Sequence, residues 1–244
     1  MLIISSGMPK SGSTYLFHLL NGLVVAAGYP NSMESRKRHT ADAWLGRPNN
    51  FVDRLSGIPL AKLWLISLKE GRFIVKTHDR LAKSAQLLTR GGGARVVYTY
   101  RDPRDCLLSA LDYGAKLRER GAADSYFGRM HTFDDAFPQV KGWIATYNAY
   151  RAMPGILTLR YEDMLARPEE AIQRCATYLR LKVDESARKE ILWACSSDNP
   201  DRTIRMPVNK ATSYRYRTEM PADQQQRFVD DYRETILQMG FSLE

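Results

Sequence analysis

A chain of 244 residues with 44% hydrophobic and 26% charged residues has the length of one large domain and the composition of an ordinary globular protein, not of a disordered or fibrous one. Its net charge of +9 points to an anionic partner, yet the basic residues are scattered. The one run, Arg36-Lys37-Arg38, reads as a solvated loop, and no recognition helix, RNA-binding aromatic motif or zinc spacing supports nucleic-acid binding.

No stretch of about eighteen apolar residues occurs, which argues against a transmembrane helix. The opening MLIISSG lacks the charged start and long apolar core of a signal peptide. Cys106, Cys175 and Cys195 are widely spaced and odd in number, which suits free thiols in a reducing compartment and offers no metal cluster. These features predict a cytoplasmic protein with no membrane partner and no metal.

In chain order, residues 2–5 read as a buried strand, followed by a glycine-containing loop and a mostly apolar helix over 14–27. A second strand over 73–76 precedes a helix over 82–89. A third over 95–100 precedes a helix over 104–117. A helix over 142–153 leads into a fourth strand at 156–160. Helices over 168–181 and 221–239 follow; the first opens on Pro168 with Glu169 and Glu170 in its first turn, and the second ends at Gly240. No linker or repeat divides the chain, so residues 1–244 read as one domain. Strands alternating with helices predict an α/β fold: a central, mostly parallel sheet with helices on both faces. Ligands of such folds sit beyond the carboxyl ends of the strands. The segments expected there carry Lys10, Lys76 with His78, and Arg101 with Arg104. One rim of the sheet thus suits a highly charged anion.

Gly7-x-x-x-x-Gly12-Ser13-Thr14 nearly spells a Walker A loop between a strand and a helix, which predicts a P-loop fold of the nucleoside-triphosphate-hydrolase kind. Loop amides and the helix N-terminus can bind phosphate oxygens there. Ser13 stands where the loop lysine of an ATP or GTP enzyme belongs, and a lysine lies inside the loop at Lys10 instead. A P-loop small-molecule kinase is the alternative reading. Against it are Ser13 and the lack of a convincing second magnesium carboxylate.

Pro9-Lys10-Ser11-Gly12-Ser13-Thr14-Tyr15 resembles the 5′-phosphosulfate loop of cytosolic sulfotransferases that use 3′-phosphoadenosine-5′-phosphosulfate (PAPS). The resemblance implies that residues 10–15 bind this cofactor, that Lys10 meets the bridging oxygen on which charge builds as the S–O bond breaks, and that Tyr15 replaces a tryptophan stacked on adenine. Arg101-Asp102-Pro103-Arg104-Asp105 with Ser109 is similar to the family's second cofactor motif, which implies that Arg101 and Ser109 hold the 3′-phosphate; Asp105 reads as a helix-start residue. Lys76-Thr77-His78 resembles a strand end that supplies a transition-state cation, Lys76, and a general base, His78. Asp79 is the reserve base. Tyr161 matches a residue that reaches the adenosine. Asn209-Lys210-Ala211 resembles a further 3′-phosphate segment in which Lys210 and the amide of Ala211 bind; Asn209 stands where arginine is usual, and Arg205 or Arg215 is expected to replace it. The implied products are a sulfated small acceptor and adenosine 3′,5′-bisphosphate. The acceptor's identity and the oligomeric state are not fixed by the sequence. Residues 28–72 and 116–140 fall outside the resemblance and are expected to build the acceptor pocket. With the neighbouring Tyr113 they bring Trp44, Trp64, Tyr126, Phe127, Phe133 and Phe137, which suit a pocket wall or core packing equally.

Overall fold

The computed structural model describes residues 1–45, 49–196, 198–200 and 212–244. The chain opens with β1 (Leu2–Gly7), all six residues buried. It then forms α1 (Ser13–Ala26), α2 (Ser32–Arg38), α3 (Gly57–Lys69) and β2 (Phe73–Thr77). Next come α4 (Lys83–Arg90), β3 (Ala94–Tyr100), α5 (Pro103–Glu119), α6 (Phe133–Arg151) and β4 (Leu157–Arg160). α7 (Tyr161–Ala166), α8 (Pro168–Leu179), α9 (Glu185–Cys195), α10 (Tyr216–Glu219) and α11 (Ala222–Gln238) complete the described elements. Among the described residues, no helix is long and apolar enough to cross a membrane.

The four strands are parallel in the order β2-β1-β3-β4. Leu2 pairs with Phe73 on one side and with Ala94 on the other, and Val97 pairs with Leu157. β1 is central and covered on both faces, which is why it reads as an unbroken apolar start. Alternate residues serve opposite layers. Leu2, Ile4, Phe73, Val75, Val96 and Tyr98 face one core with Leu63, Leu107 and Tyr150. Ile3, Ile74 and Val97 face the other with Phe17, Leu20 and Ile172. The chain leaves β1 towards β2 and leaves β3 towards β4, in opposite directions across the sheet. A crevice therefore opens beyond the carboxyl ends of β1 and β3.

Two sequence expectations change. α6 starts nine residues before the predicted 142, because Thr132 and Asp135 form a capping box and Pro138 is accommodated inside the helix. The basic run at 36–38 is the last turn of α2, not a loop. Its charges complement the helix C-terminus, and Arg36 and Arg38 pair with Asp42 and Glu70 at 2.6 Å each.

Candidate active site

The loop after β1 is held by its own backbone and by β3. Gly7 has no room for a side chain, since a Cβ would lie 2.6 Å from Thr99 Cγ2. The Ser11 hydroxyl donates to the Met8 carbonyl at 2.7 Å or the Thr99 carbonyl at 3.0 Å, and Thr99 Oγ1 donates to the Ser11 carbonyl at 2.9 Å. Ser11 is thus fully buried and anchors the loop, whereas the resemblance assigned it to cofactor binding. Gly12 caps α1 with φ 79° and no side-chain cap. A Cβ on it would strike the Tyr161 ring at 2.7 Å. The uncapped N-terminus of α1 therefore faces the crevice with Tyr161 close beside it.

Lys10 adopts a left-handed φ of 66°, which turns its side chain towards α5. Its Nζ lies 3.9 Å from the Tyr113 ring centroid and 5.6 Å from that of Phe127, within cation–π range. Burial, opposed by Cys106 and reinforced by the Arg101 and Lys116 charges, lowers its pKa to about 8. Lys76, at the end of β2, donates to Thr14 Oγ1 across 2.7 Å. Burial and then the Lys10 charge bring it down to about 7. Both ammonium groups sit where desolvation penalises charge, so an arriving anion restores what burial removes.

His78 follows β2. Its Nδ1 lies 2.8 Å from the Gly7 carbonyl, which can only accept, so Nδ1 carries the proton. In the neutral ring Nε2 then carries the lone pair, 3.4 Å from Ser13 Oγ. Asp79, the reserve base, is exposed. Its carboxylate accepts from the Arg80 amide, its carbonyl accepts from Tyr150, and it does not line the cavity.

Arg101 leaves β3 buried. It donates to Asp105 Oδ2 at 2.9 Å and to the Thr212 carbonyl at 2.7 Å, and it stacks on Tyr161 at 4.5 Å. Its Nε is buried without a hydrogen-bond partner among the described residues. Ser109, two turns along α5, lines the same cavity. Lys210 and Ala211 lie outside the described residues, as do Arg205 and Asn209. Arg215 lines the cavity but pairs with Asp112 at 2.8 Å and Glu219 at 2.6 Å.

These groups border one cavity of about 1180 Å³. Lys10, Gly12, Ser13, Thr14, Lys76 and His78 lie along its border. Tyr113, Leu117, Tyr126 and Phe127 line another part of it, with Phe51 beside His78 at 5.6 Å between ring centroids. Tyr15, Tyr161, Met164, Leu192 and the half-exposed Trp193 also line it. Of the aromatic residues that suited wall or core equally, Tyr113, Tyr126 and Phe127 form the wall. Trp44, Trp64, Phe133 and Phe137 pack in or against the core. Phe51, Asp53 and Trp193 were not singled out by the sequence, because no motif frames them; Phe51 reaches the site through a parallel bridge to Lys76.

Residues 2–240 match the sulfotransferase domain family. Human sulfotransferase 1C2 is 24% identical over 92% of this chain and 79% of its own length. Arabidopsis thaliana cytosolic sulfotransferase 17 is 26% identical over 70% of this chain, which spans about half, 49%, of the plant protein's length. Among solved structures, mouse sulfotransferase SULT7A1 complexed with PAP superposes with a TM-score of 0.63 at 15% identity, covering 97% of this chain and 84% of that one. Retinol dehydratase in complex with androsterone and inactive cofactor PAP gives 0.59 at 15% identity, over 96% and 80%. At this identity the superpositions show a common fold. The family match runs from β1 past the end of α11 and makes this chain a member of the sulfotransferase family, a PAPS-dependent sulfotransferase.

Proposed function

We propose that this chain transfers the sulfuryl group of PAPS to a hydroxyl or amine of a small acceptor by in-line displacement, with His78 as general base. The observation that carries this reading is the orientation of His78. The Gly7 carbonyl fixes the proton on Nδ1, so Nε2 presents a lone pair at the cavity border beside the phosphate loop. His78 Nε2 takes the acceptor proton as the acceptor oxygen or nitrogen bonds to sulfur. The bond from sulfur to the bridging oxygen breaks, and its electron pair leaves on the phosphate. Lys10 and Lys76 stabilise that charge, which grows towards the transition state.

The residues suit the cofactor's two anionic ends. The uncapped α1 N-terminus and Lys10 serve the 5′-phosphosulfate. Arg101, whose Nε has no hydrogen-bond partner among the described residues, serves the 3′-phosphate together with Ser109. Tyr15 and Tyr161 offer ring faces to the adenosine, and Tyr113, Tyr126 and Phe127 offer an aromatic wall to the acceptor. The relative named cytosolic, from Arabidopsis thaliana, supports a cytoplasmic setting. Lys210 and the Ala211 amide are proposed as further 3′-phosphate ligands on the resemblance alone. Incubation with PAPS and a panel of phenols, alcohols and amines tests the reading. Mass spectrometry should find an acceptor gaining one SO3 as adenosine 3′,5′-bisphosphate accumulates. Cofactor turnover with no sulfated product from any acceptor class would contradict it.

A further inference from the structure

Beyond the cavity, the first turn of α5 ties three distant segments together. Asp102 and Arg104 are both fully buried, and Arg104 grips the Asp102 carboxylate at 3.0 and 2.7 Å. The same guanidinium also donates to the Ser242 carbonyl at 2.5 Å and to the Leu243 carbonyl at 3.4 Å, and it lies 3.6 Å over the Tyr216 ring. Tyr216 in turn donates its hydroxyl to the Glu244 main-chain oxygen at 2.7 Å, and its amide donates to Asp105 Oδ1 at 3.0 Å. Arg217 adds a bond to Ser242 Oγ at 3.0 Å. The other Asp105 oxygen holds Arg101, which reaches the Thr212 carbonyl.

We propose that Ser242, Leu243 and Glu244 form a clasp that, through Arg104 and Tyr216, keeps residues 212–217 seated against Arg101 in the orientation that binds the cofactor. Arg104 and Tyr216 are positioning residues, since neither lines the cavity. The clasp rests on the proposed role of Arg101 towards the 3′-phosphate. Buried Asp105 joins Arg101 to Tyr216, so a loosened Tyr216 unsettles the carboxylate that aims the guanidinium. Each hydrogen bond of the clasp adds modestly to the hold on this segment. Losing the clasp therefore lets the 212–217 segment open locally without unfolding the sheet. If the binding-competent population falls to about a tenth, apparent affinity falls about tenfold.

The test compares the full chain with a chain ending at Phe241, which leaves the Asp102–Arg104 pair intact. Tyr216→Phe serves as a second variant that removes only the hydroxyl. Titration calorimetry with adenosine 3′,5′-bisphosphate and with 5′-AMP is paired with amide hydrogen exchange on the ligand-free proteins. The shortened chain should bind the bisphosphate about tenfold more weakly and 5′-AMP almost unchanged, with faster exchange at Thr212–Arg217; Tyr216→Phe should shift both in the same direction by less. Bisphosphate affinity within about twofold of the full chain, or equal losses for both nucleotides, would overturn the clasp while leaving the transfer reaction standing. A full chain that fails to bind the bisphosphate would overturn both.

Discussion

His78 and Gly7 are joined by a 2.8 Å hydrogen bond from Nδ1 to the carbonyl at the end of β1. The residue that opens the phosphate loop thus also holds the imidazole proposed as the base. The contact links two parallel strand ends, β1 and β2, and turns Nε2 towards Ser13 at the loop's helix N-terminus.

His78→Ala should leave the dissociation constant for adenosine 3′,5′-bisphosphate nearly unchanged and lower single-turnover transfer by about 10²–10⁴-fold, the usual worth of general-base help. Lys10→Ala should reduce both affinity and transfer, because Lys10 belongs to the phosphate loop. Near-normal transfer by His78→Ala would place the base elsewhere.

The depressed lysines predict a pH dependence of cofactor binding. Lys10 titrates at about 8 and Lys76 at about 7 in the ligand-free protein, chiefly through burial. A bound anion favours the charged forms, so binding takes up protons once pH exceeds these values. Affinity for the bisphosphate should weaken as pH rises through about 7 and 8, by up to about tenfold per pH unit for each lysine. Calorimetry at pH 8 in buffers of different ionisation heat should report net proton uptake; none would contradict the role of these lysines.

Lys76 also imposes a stability cost. Its folded pKa of about 7 lies below the unfolded value of 10.5, so the unfolded chain holds more protons between those limits. Stability therefore rises with pH across that window and is lowest, as far as Lys76 is concerned, below it. Lys76→Met should abolish transfer yet raise the melting temperature at pH 7, by about 2–4 °C for each kcal/mol recovered. The gain should shrink at pH 9. A lowered melting temperature would mean that the bond to Thr14 outweighs the burial of the charge.

Much of this was legible in the sequence because parallel strands buried on both faces must be short apolar runs, and each is followed by the residues that meet at the sheet's rim. Lys10, Lys76, His78 and Arg101 were expected at that rim, Ser109 and Tyr161 were expected by resemblance, and all six line one cavity. That the Ser11 hydroxyl anchors the loop was not legible, because a hydroxyl in a phosphate loop gives no hint of its partner; here it is close contact with Thr99 and Met8. α9 and the wall residue Trp193 were missed because α9 is a mixed surface helix with one fully buried residue, Cys195. Arg104, expected with Arg101 among the rim cations, is instead buried in a pair with Asp102 and does not line the cavity, because the fold brings the 242–244 segment over it.

In the proposed function, the cavity has separate places for a 5′-phosphosulfate and a 3′-phosphate. The decisive measurement is titration calorimetry with adenosine 3′,5′-bisphosphate, 5′-AMP and ATP, on the unmodified protein and on Arg101→Ala. The bisphosphate should bind much more tightly than ATP, and Arg101→Ala should lose far more affinity for the bisphosphate than for 5′-AMP. A preference for ATP, or equal losses for the two nucleotides, would contradict it.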